Sequence, residues 1–264
     1  MYRPLLILAL VFHGSLLSQD SVSVLQQTEK DGVRILQDGG RLFTAPLHFS
    51  GSEWITAGAL LGGTAVLFTI DDPVRTISHR NQSRLADRLS DVGSYYGDGK
   101  YVLGLSGGIY ITGTILKNRD VRETGILVFE SLAFAGITTT VVKSLAGRSR
   151  PYTGEGVTRF RGFQLDNDHL SLPSGHATVA FALSSVLAKR LDNLPVSIIL
   201  YSLAAITAAS RVYEDEHWLS DTVLGSIIGT VTGLVVCGYH EDSDHQSSFI
   251  LTPTLNGLRV SLLF

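Results

Sequence analysis

Six runs of apolar residues, broken by small and hydroxylated side chains, divide the middle of this chain. They are 54–70 (WITAGALLGGTAVLFTI), 101–116 (YVLGLSGGIYITGTIL), 124–142 (TGILVFESLAFAGITTTVV), 177–188 (ATVAFALSSVLA), 196–209 (VSIILYSLAAITAA) and 219–238 (LSDTVLGSIIGTVTGLVVCG). All are too long for ordinary strands, so the pattern predicts helices. Several are marginal as membrane spans, which want roughly 20 apolar residues. Their Ser, Thr and Gly are the residues of close helix–helix contacts. Between the first two runs, RNQSRLADRLSDVG predicts an amphipathic surface helix. Residues 20–53 form a polar lead-in with room for one short amphipathic helix. In the tail, 241–264, FILTPTL and LRVSLLF alternate around Asn256-Gly257, a hairpin signal. Leu258, Val260, Leu262 and Phe264 share one face, and Pro253 makes the first strand an edge strand. The expected architecture is all-α: a six-helix bundle over 54–240 with a short C-terminal β-hairpin.

The first 19 residues differ from the rest. Arg3 precedes LLILALVF and a small, polar GSLLSQD. That order predicts a signal peptide cut near Ser18 or Gln19, with an uncleaved N-terminal anchor as the rival.

Composition narrows the class. Charged residues make up 17% of the 264, against about 25% in soluble domains. The net charge is −3 with no basic stripe, which argues against a nucleic-acid partner. One cysteine, Cys237, lies in an apolar run. It can build neither a disulfide framework nor a cysteine metal site, and it reads as a small buried hydrophobe.

The polar residues at the helix ends carry the chemistry. The third run finishes in Lys143-SLAGRS-Arg150-Pro151, and the fourth opens with Pro173-Ser174-Gly175-His176. The fifth finishes in Ser210-Arg211, and the sixth opens with His217 and Asp221. In an up-and-down bundle the links from helix three to four and from five to six emerge at one end, so these residues converge. Lys143 and Arg150 share a face if the helix runs on, although Gly147 and Pro151 suggest that it frays. With Arg211 they make three cations without matching acids, a setting for a multiply charged anion, and arginine's planar fork suits phosphate oxygens. Ser174 and Gly175 place free backbone N–H groups at a helix start, a further anion site. His217 and Asp221, four apart, would stack on one helical face, the carboxylate fixing the ring tautomer. His176 is a second imidazole for proton transfer.

The same residues match a known pattern. K-x6-RP, PSGH and SR-x5-H-x3-D together resemble the three-part motif of the type 2 phosphatidic acid phosphatase (PAP2) and vanadium haloperoxidase superfamily. All three parts are complete here, and the resemblance covers roughly 54–238. It implies a PAP2-like helical bundle, no metal and no cofactor. His217 becomes the nucleophile, with Asp221 behind it and His176 protonating the leaving group. Lys143, Arg150, Arg211 and the Ser174–Gly175 amides hold the phosphate. The expected activity is metal-independent hydrolysis of a phosphomonoester or diphosphate, lipid-linked like phosphatidic acid or a polyprenyl diphosphate, through a phosphohistidine. The alternatives are a soluble periplasmic acid phosphatase acting on small phosphomonoesters, a vanadium-dependent haloperoxidase, and a non-catalytic lipid-phosphate binder. Short spacers between the motifs weigh against the haloperoxidase.

The expected location is the cell envelope, embedded in or associated with a membrane. Six spans behind a cleaved leader would put the helix mouths in the cytoplasm, whereas the resemblance implies a periplasmic site. Three readings would remove the conflict: a run 54–70 that does not span, a bundle secreted whole, or a cytoplasmic site; the lysine and arginine counts do not decide among them. Glu130, inside the third run, is unusual for a lipid-facing span and suggests a soluble or interior location for that position.

Overall fold

The computed structural model describes residues 24–245, 248–254 and 257–263; the leader expected over 1–19 and the turn position Asn256 lie outside these. The described chain is a helical bundle. Its helices are α1 (Val24–Thr44), α2 (Gly51–Leu67), α3 (Asp71–Arg80), α4 (Arg84–Tyr96), α5 (Gly99–Ile115), α6 (Arg119–Ala146), α7 (Gly175–Leu191), α8 (Leu194–Tyr213) and α9 (Leu219–His245). Two strands, Ser248–Thr254 and Gly257–Leu263, pair antiparallel with Pro253 opposite Leu258.

The expected count of six helices is too low: nine are present among the described residues. The six apolar runs became α2 and α5 to α9. The three others, α1, α3 and α4, come from polar sequence. Each is amphipathic and docks by one apolar face; a lead-in helix and a helix at α4 were expected from that pattern, and α3 was not. The lead-in is thus a 21-residue helix, whose Ile35 and Leu42 pack against the core. At Gly39 a Cβ would stand 3.0 Å from the Phe134 ring, so α1 lies close on α6.

Local chemistry sets the boundaries. Ser50 and Glu53 form a reciprocal capping box at the start of α2. Ser83, Asp98, Asn118, Ser174 and Asn193 each cap a following helix through a side-chain oxygen. Gly147 ends α6 at φ +58°, a left-handed position that glycine takes without strain.

The core joins α5, α6, α7 and α9 through Val102, Leu127, Val128, Phe134, Leu183, Val186, Val236 and Cys237. Cys237 is buried, as a small hydrophobe should be. A stripe of glycines lets α9 settle onto α7. A Cβ on Gly225 would meet the Ser174 carbonyl at 2.4 Å, and one on Gly229 the Thr178 carbonyl at 2.2 Å. Those are backbone atoms that cannot step aside, so the helices touch along this line.

Among the described residues three helices are long and apolar enough to cross a membrane: α6, α8 and residues 219–241 of α9. Helices α2 and α3 meet at a 53° bend and could together make a fourth, broken span. Ile137, Val141, Ile198, Ile199, Val231 and Leu234 are exposed on the three long helices, which favours membrane association.

The contact between α7 and α9 yields a prediction. Gly229→Val should destabilise the protein by about 1–3 kcal/mol or more, because overpacking meets backbone. Gly104→Ala, where a Cβ meets nothing within 4 Å, should leave the melting temperature within a few degrees. Thermal unfolding of both variants in detergent checks this.

Candidate active site

Three interruptions between helices face one another at one end of the bundle. The first follows α6, where the Gly147 N–H returns to the Lys143 carbonyl at 3.0 Å. Lys143 lies on the last turn, and its Nζ donates to the carbonyls of Leu170 (2.6 Å) and Ser171 (3.5 Å). Its Cε is 3.9 Å from where a Gly175 Cβ would stand, which brings the ammonium stem to the mouth of α7. Arg150 lies beyond the helix end, so it shares no helical face with Lys143. Loop contacts hold it instead: Nε donates to the Asn167 carbonyl at 2.9 Å and Nη2 to Asn167 Oδ1 at 3.0 Å. Its Nη1 rests on the Glu216 carboxylate.

The second interruption is the start of α7. Ser174 is its N-cap, receiving the Ala177 N–H on Oγ at 3.5 Å. Its own N–H donates to the Asp221 carbonyl at 2.9 Å. That bond ties the second motif to the third, and it removes the Ser174 amide from the anion-binding set expected from sequence. Helix geometry leaves the next amides, Gly175 and His176, without intrahelical acceptors.

The third lies between α8 and α9. Arg211 ends α8, donating through Nη2 to Glu214 Oε2 at 2.5 Å and contacting Ser94 Oγ. The expectation of cations without matching acids is therefore corrected: Glu216 neutralises Arg150 and Glu214 neutralises Arg211. His217 precedes α9 and is fixed by its backbone N–H, which donates to the Arg211 carbonyl at 3.1 Å. The expected stacking of His217 and Asp221 on one helix is likewise corrected. His217 Nδ1 is 3.7 Å from Asp221 Oδ2, beyond hydrogen-bond reach. Asp221 Oδ2 instead accepts from Ser171 Oγ at 2.5 Å and from the Trp218 N–H at 2.9 Å. Ser171 Oγ also lies 3.5 Å from His217 Nδ1, between ring and carboxylate.

The electrostatics agree with the convergence. Burial, then the nearby Arg211 charge, lowers the His176 pKa to about 4. Burial, then Lys143, lowers that of His217 to about 3. Each motif's cations thus act on the others' imidazoles, and both rings are neutral at pH 7 in the free protein.

Sequence reasoning missed the residues behind the cage. Arg148, fully buried, donates through Nη1 to Asp221 Oδ1 (2.6 Å) and Ser220 Oγ (2.7 Å), and through Nη2 to Asp71 Oδ2 (2.8 Å). Its place two positions before Arg150 was a signal that could have been used. Asp71, remote in sequence, offered none. Ser171, Glu214 and Glu216 were also missed; each sits within four residues of a motif position.

Two outcomes follow. Arg148→Met should cost about 3–5 kcal/mol of stability, since it strands two buried carboxylates; denaturant titration measures it. The imidazoles set a pH dependence. Between pH 6.5 and about 4 the unfolded chain binds protons that the folded His176 and His217 refuse, so stability falls as pH falls through that window. The slope of melting temperature against pH should be shallower in His217→Asn, which lacks one of these groups.

Comparison with known proteins gives the arrangement its relatives. The PAP2 superfamily model matches residues 124–244, which hold all three motifs. A PA-phosphatase related-family protein of Dictyostelium discoideum is 28% identical over 151 residues, 51% of this chain and 55% of the relative. The lipid A 1-phosphatase of Porphyromonas gingivalis is 24% identical over 178 residues, 66% of this chain and 36% of the relative. The chain therefore spans between about a third and just over half of the length of these relatives. Its fold matches the crystal structure of a transmembrane PAP2-type phosphatidylglycerolphosphate phosphatase from Bacillus subtilis. The TM-score is 0.55 at 20% identity, over 70% of this chain and 95% of the other. Residues 124–244, which carry these three motifs, match the PAP2 superfamily, and the fold that gathers them is similar to that of a PAP2-type phosphatase.

Proposed function

We propose that this protein hydrolyses the terminal phosphate of a membrane lipid through a phosphohistidine. The observation that carries the reading is the Ser174 N–H to Asp221 carbonyl bond at 2.9 Å. It joins the start of the PSGH helix to the helix behind the SR-x5-H imidazole, with Lys143 reaching the same helix start, and so supports one mouth for both rings.

The roles follow from placement. His217 is the nucleophile: Nδ1 faces Ser171 and Asp221, leaving Nε2 to attack phosphorus. The bond from phosphorus to the leaving oxygen breaks as His176 delivers a proton to that oxygen. Water then attacks phosphorus, losing its proton to His176, and the phosphorus–nitrogen bond breaks to release phosphate. Asp221 stabilises the charged ring through Ser171. His176 must carry a proton in the first step, and the negative charge of a bound phosphate raises its low pKa toward that state. Lys143, Arg150, Arg211 and the Gly175 and His176 amides take the phosphate oxygens.

A groove supports a lipid-linked substrate. A cavity of about 570 Å³ is lined by Leu60, Phe181, Ala209, Val212, Leu219 and Val223. Val212 and Leu219 flank the loop that carries His217, so the apolar wall begins beside the cage. The names of two relatives, lipid A 1-phosphatase and phosphatidylglycerolphosphate phosphatase, point to the same substrate class.

The test is hydrolysis by detergent-purified protein of phosphatidic acid, a polyprenyl diphosphate and p-nitrophenyl phosphate in parallel. Vanadate-inhibited release of phosphate, fastest from a lipid, is expected. His217→Ala should lose roughly 10⁴-fold in kcat while still binding inorganic phosphate. Lipid substrates cleaved no faster than p-nitrophenyl phosphate would remove the lipid assignment, and turnover retained by His217→Ala would remove the nucleophile.

A further inference from the structure

A second cluster of chemistry-bearing side chains lies at the far end of α9. His240 is 19 residues beyond Asp221 on that helix, about 28 Å along its axis, so the cluster is separate from the phosphate cage. His240 Nε2 lies 3.1 Å from Glu130 Oε2 and 3.4 Å from Asp38 Oδ2. The ligand atoms of the three residues all fall within 4.8 Å of one another. All three residues are buried. Helices α1, α6 and α9 each contribute one.

Three features point to a ligand. First, two buried carboxylate oxygens, Asp38 Oδ2 and Glu130 Oε1, have no hydrogen-bond partner. Arg34 and Arg41 reach Asp38 as ion pairs of 3.9 and 3.8 Å, and a buried carboxylate oxygen without a hydrogen bond is costly. Second, the other ring nitrogen of His240 is engaged: Nδ1 is 3.2 Å from Glu123 Oε1. Glu123 is itself held by Arg34 at 3.2 Å and Arg190 at 3.7 Å. A carboxylate on one imidazole nitrogen is the arrangement that orients a metal-ligating histidine and leaves the other nitrogen as a lone pair. His240 Nε2 faces both carboxylates, 3.1 Å from Glu130 Oε2 and 3.4 Å from Asp38 Oδ2. Third, the spacing fits. With ligand bonds of about 2.1 Å, neighbouring donors in a tetrahedral site stand about 3.4 Å apart. Magnesium and calcium, which prefer cages of oxygen alone, suit this set poorly.

We propose that Asp38, Glu130 and His240 form a structural site for a divalent first-row ion of the zinc class. Glu123 is the outer carboxylate of the site. The ion ties α1 to α6 and α9 at the end of the bundle opposite the phosphate cage, and it takes no part in hydrolysis.

The full chain, purified in detergent and stripped with EDTA, is titrated with Zn²⁺ alone. Uptake is followed by elemental analysis and melting temperature. About one equivalent per chain and a raised melting temperature are expected. Glu130→Gln should abolish that uptake, and Glu123→Gln should weaken it about 10–100-fold. Circular dichroism establishes that each variant is folded, and the wild-type titration stands whether they fold or not. Two results would overturn the site: folded wild-type protein that takes up no ion, which would make the cluster an internal ion-pair network, or uptake unchanged in folded Glu130→Gln, which would place the ion elsewhere. Neither readout involves phosphate release.

Discussion

The buried Arg148 guanidinium is the constraint on which the proposed site rests. A charge taken out of water costs several kcal/mol unless every donor finds a partner. Here Nη1 and Nη2 each meet a carboxylate, Asp221 and Asp71, and Nε and Nη2 also reach the Val157 carbonyl at 3.0 and 2.8 Å. The Phe68 ring covers its face at 4.4 Å. This one side chain therefore fixes the start of α3, the loop after α6 and the start of α9 relative to one another. It also occupies Asp221 Oδ1, which turns Oδ2 toward Ser171 and the His217 ring. The orientation of the proposed nucleophile depends on an arginine that lies behind the carboxylate and apart from the cage cations.

The frame that carries this arrangement is the pair α7 and α9, pressed together along Gly225, Gly229 and Gly233. At the first of these contacts, α9 touches the carbonyl of Ser174, the residue that starts the PSGH helix. The same line thus packs the bundle and seats the anion-binding helix start beside Asp221. Helices α6 and α9 run the length of the molecule. Each carries a cage residue at one end, Lys143 or Asp221, and a residue of the second polar cluster nearer the other, Glu130 or His240. Between the two clusters the shared core is apolar, with Phe134, Leu183 and Val236 among its members. Two polar clusters at opposite ends of an apolar bundle fit its lying across a membrane.

Much of this was legible in the chain itself. The six apolar runs marked six of the helices because an apolar stretch too long for a strand has few other homes. The convergence of Lys143, His176, Arg211 and His217 followed from alternating helix direction alone. What could not be read arises from contacts between distant segments. Asp71 and Arg148 are 77 residues apart, and neither has a local pattern that names the other. Helix α4 and a helix in the lead-in were legible as amphipathic stretches, whereas the full length of α1 and the whole of α3 depend on how they dock. Glu130 stood out as an acid within an apolar run, but its partners, on α1 and near the end of α9, are set by how the bundle closes. The offset of His217 from α9 was hidden for a simpler reason: a four-residue spacing looks the same whether or not the helix has begun.

The acids that oppose the cage arginines bear on what the proposed enzyme could accept. In the free protein Arg150 lies on Glu216, Arg211 on Glu214, and Lys143 on two backbone carbonyls. An incoming phosphate must compete with these groups, so its net binding is the difference between the contacts it makes and those it displaces. A phosphodiester brings one negative charge and two free oxygens, too few to draw three cations from their partners. A terminal monoester brings close to two charges and three oxygens, each able to accept from a different cation or from the Gly175 and His176 amides. Selectivity for a terminal phosphate over an internal one can therefore arise from carboxylates that never touch the substrate.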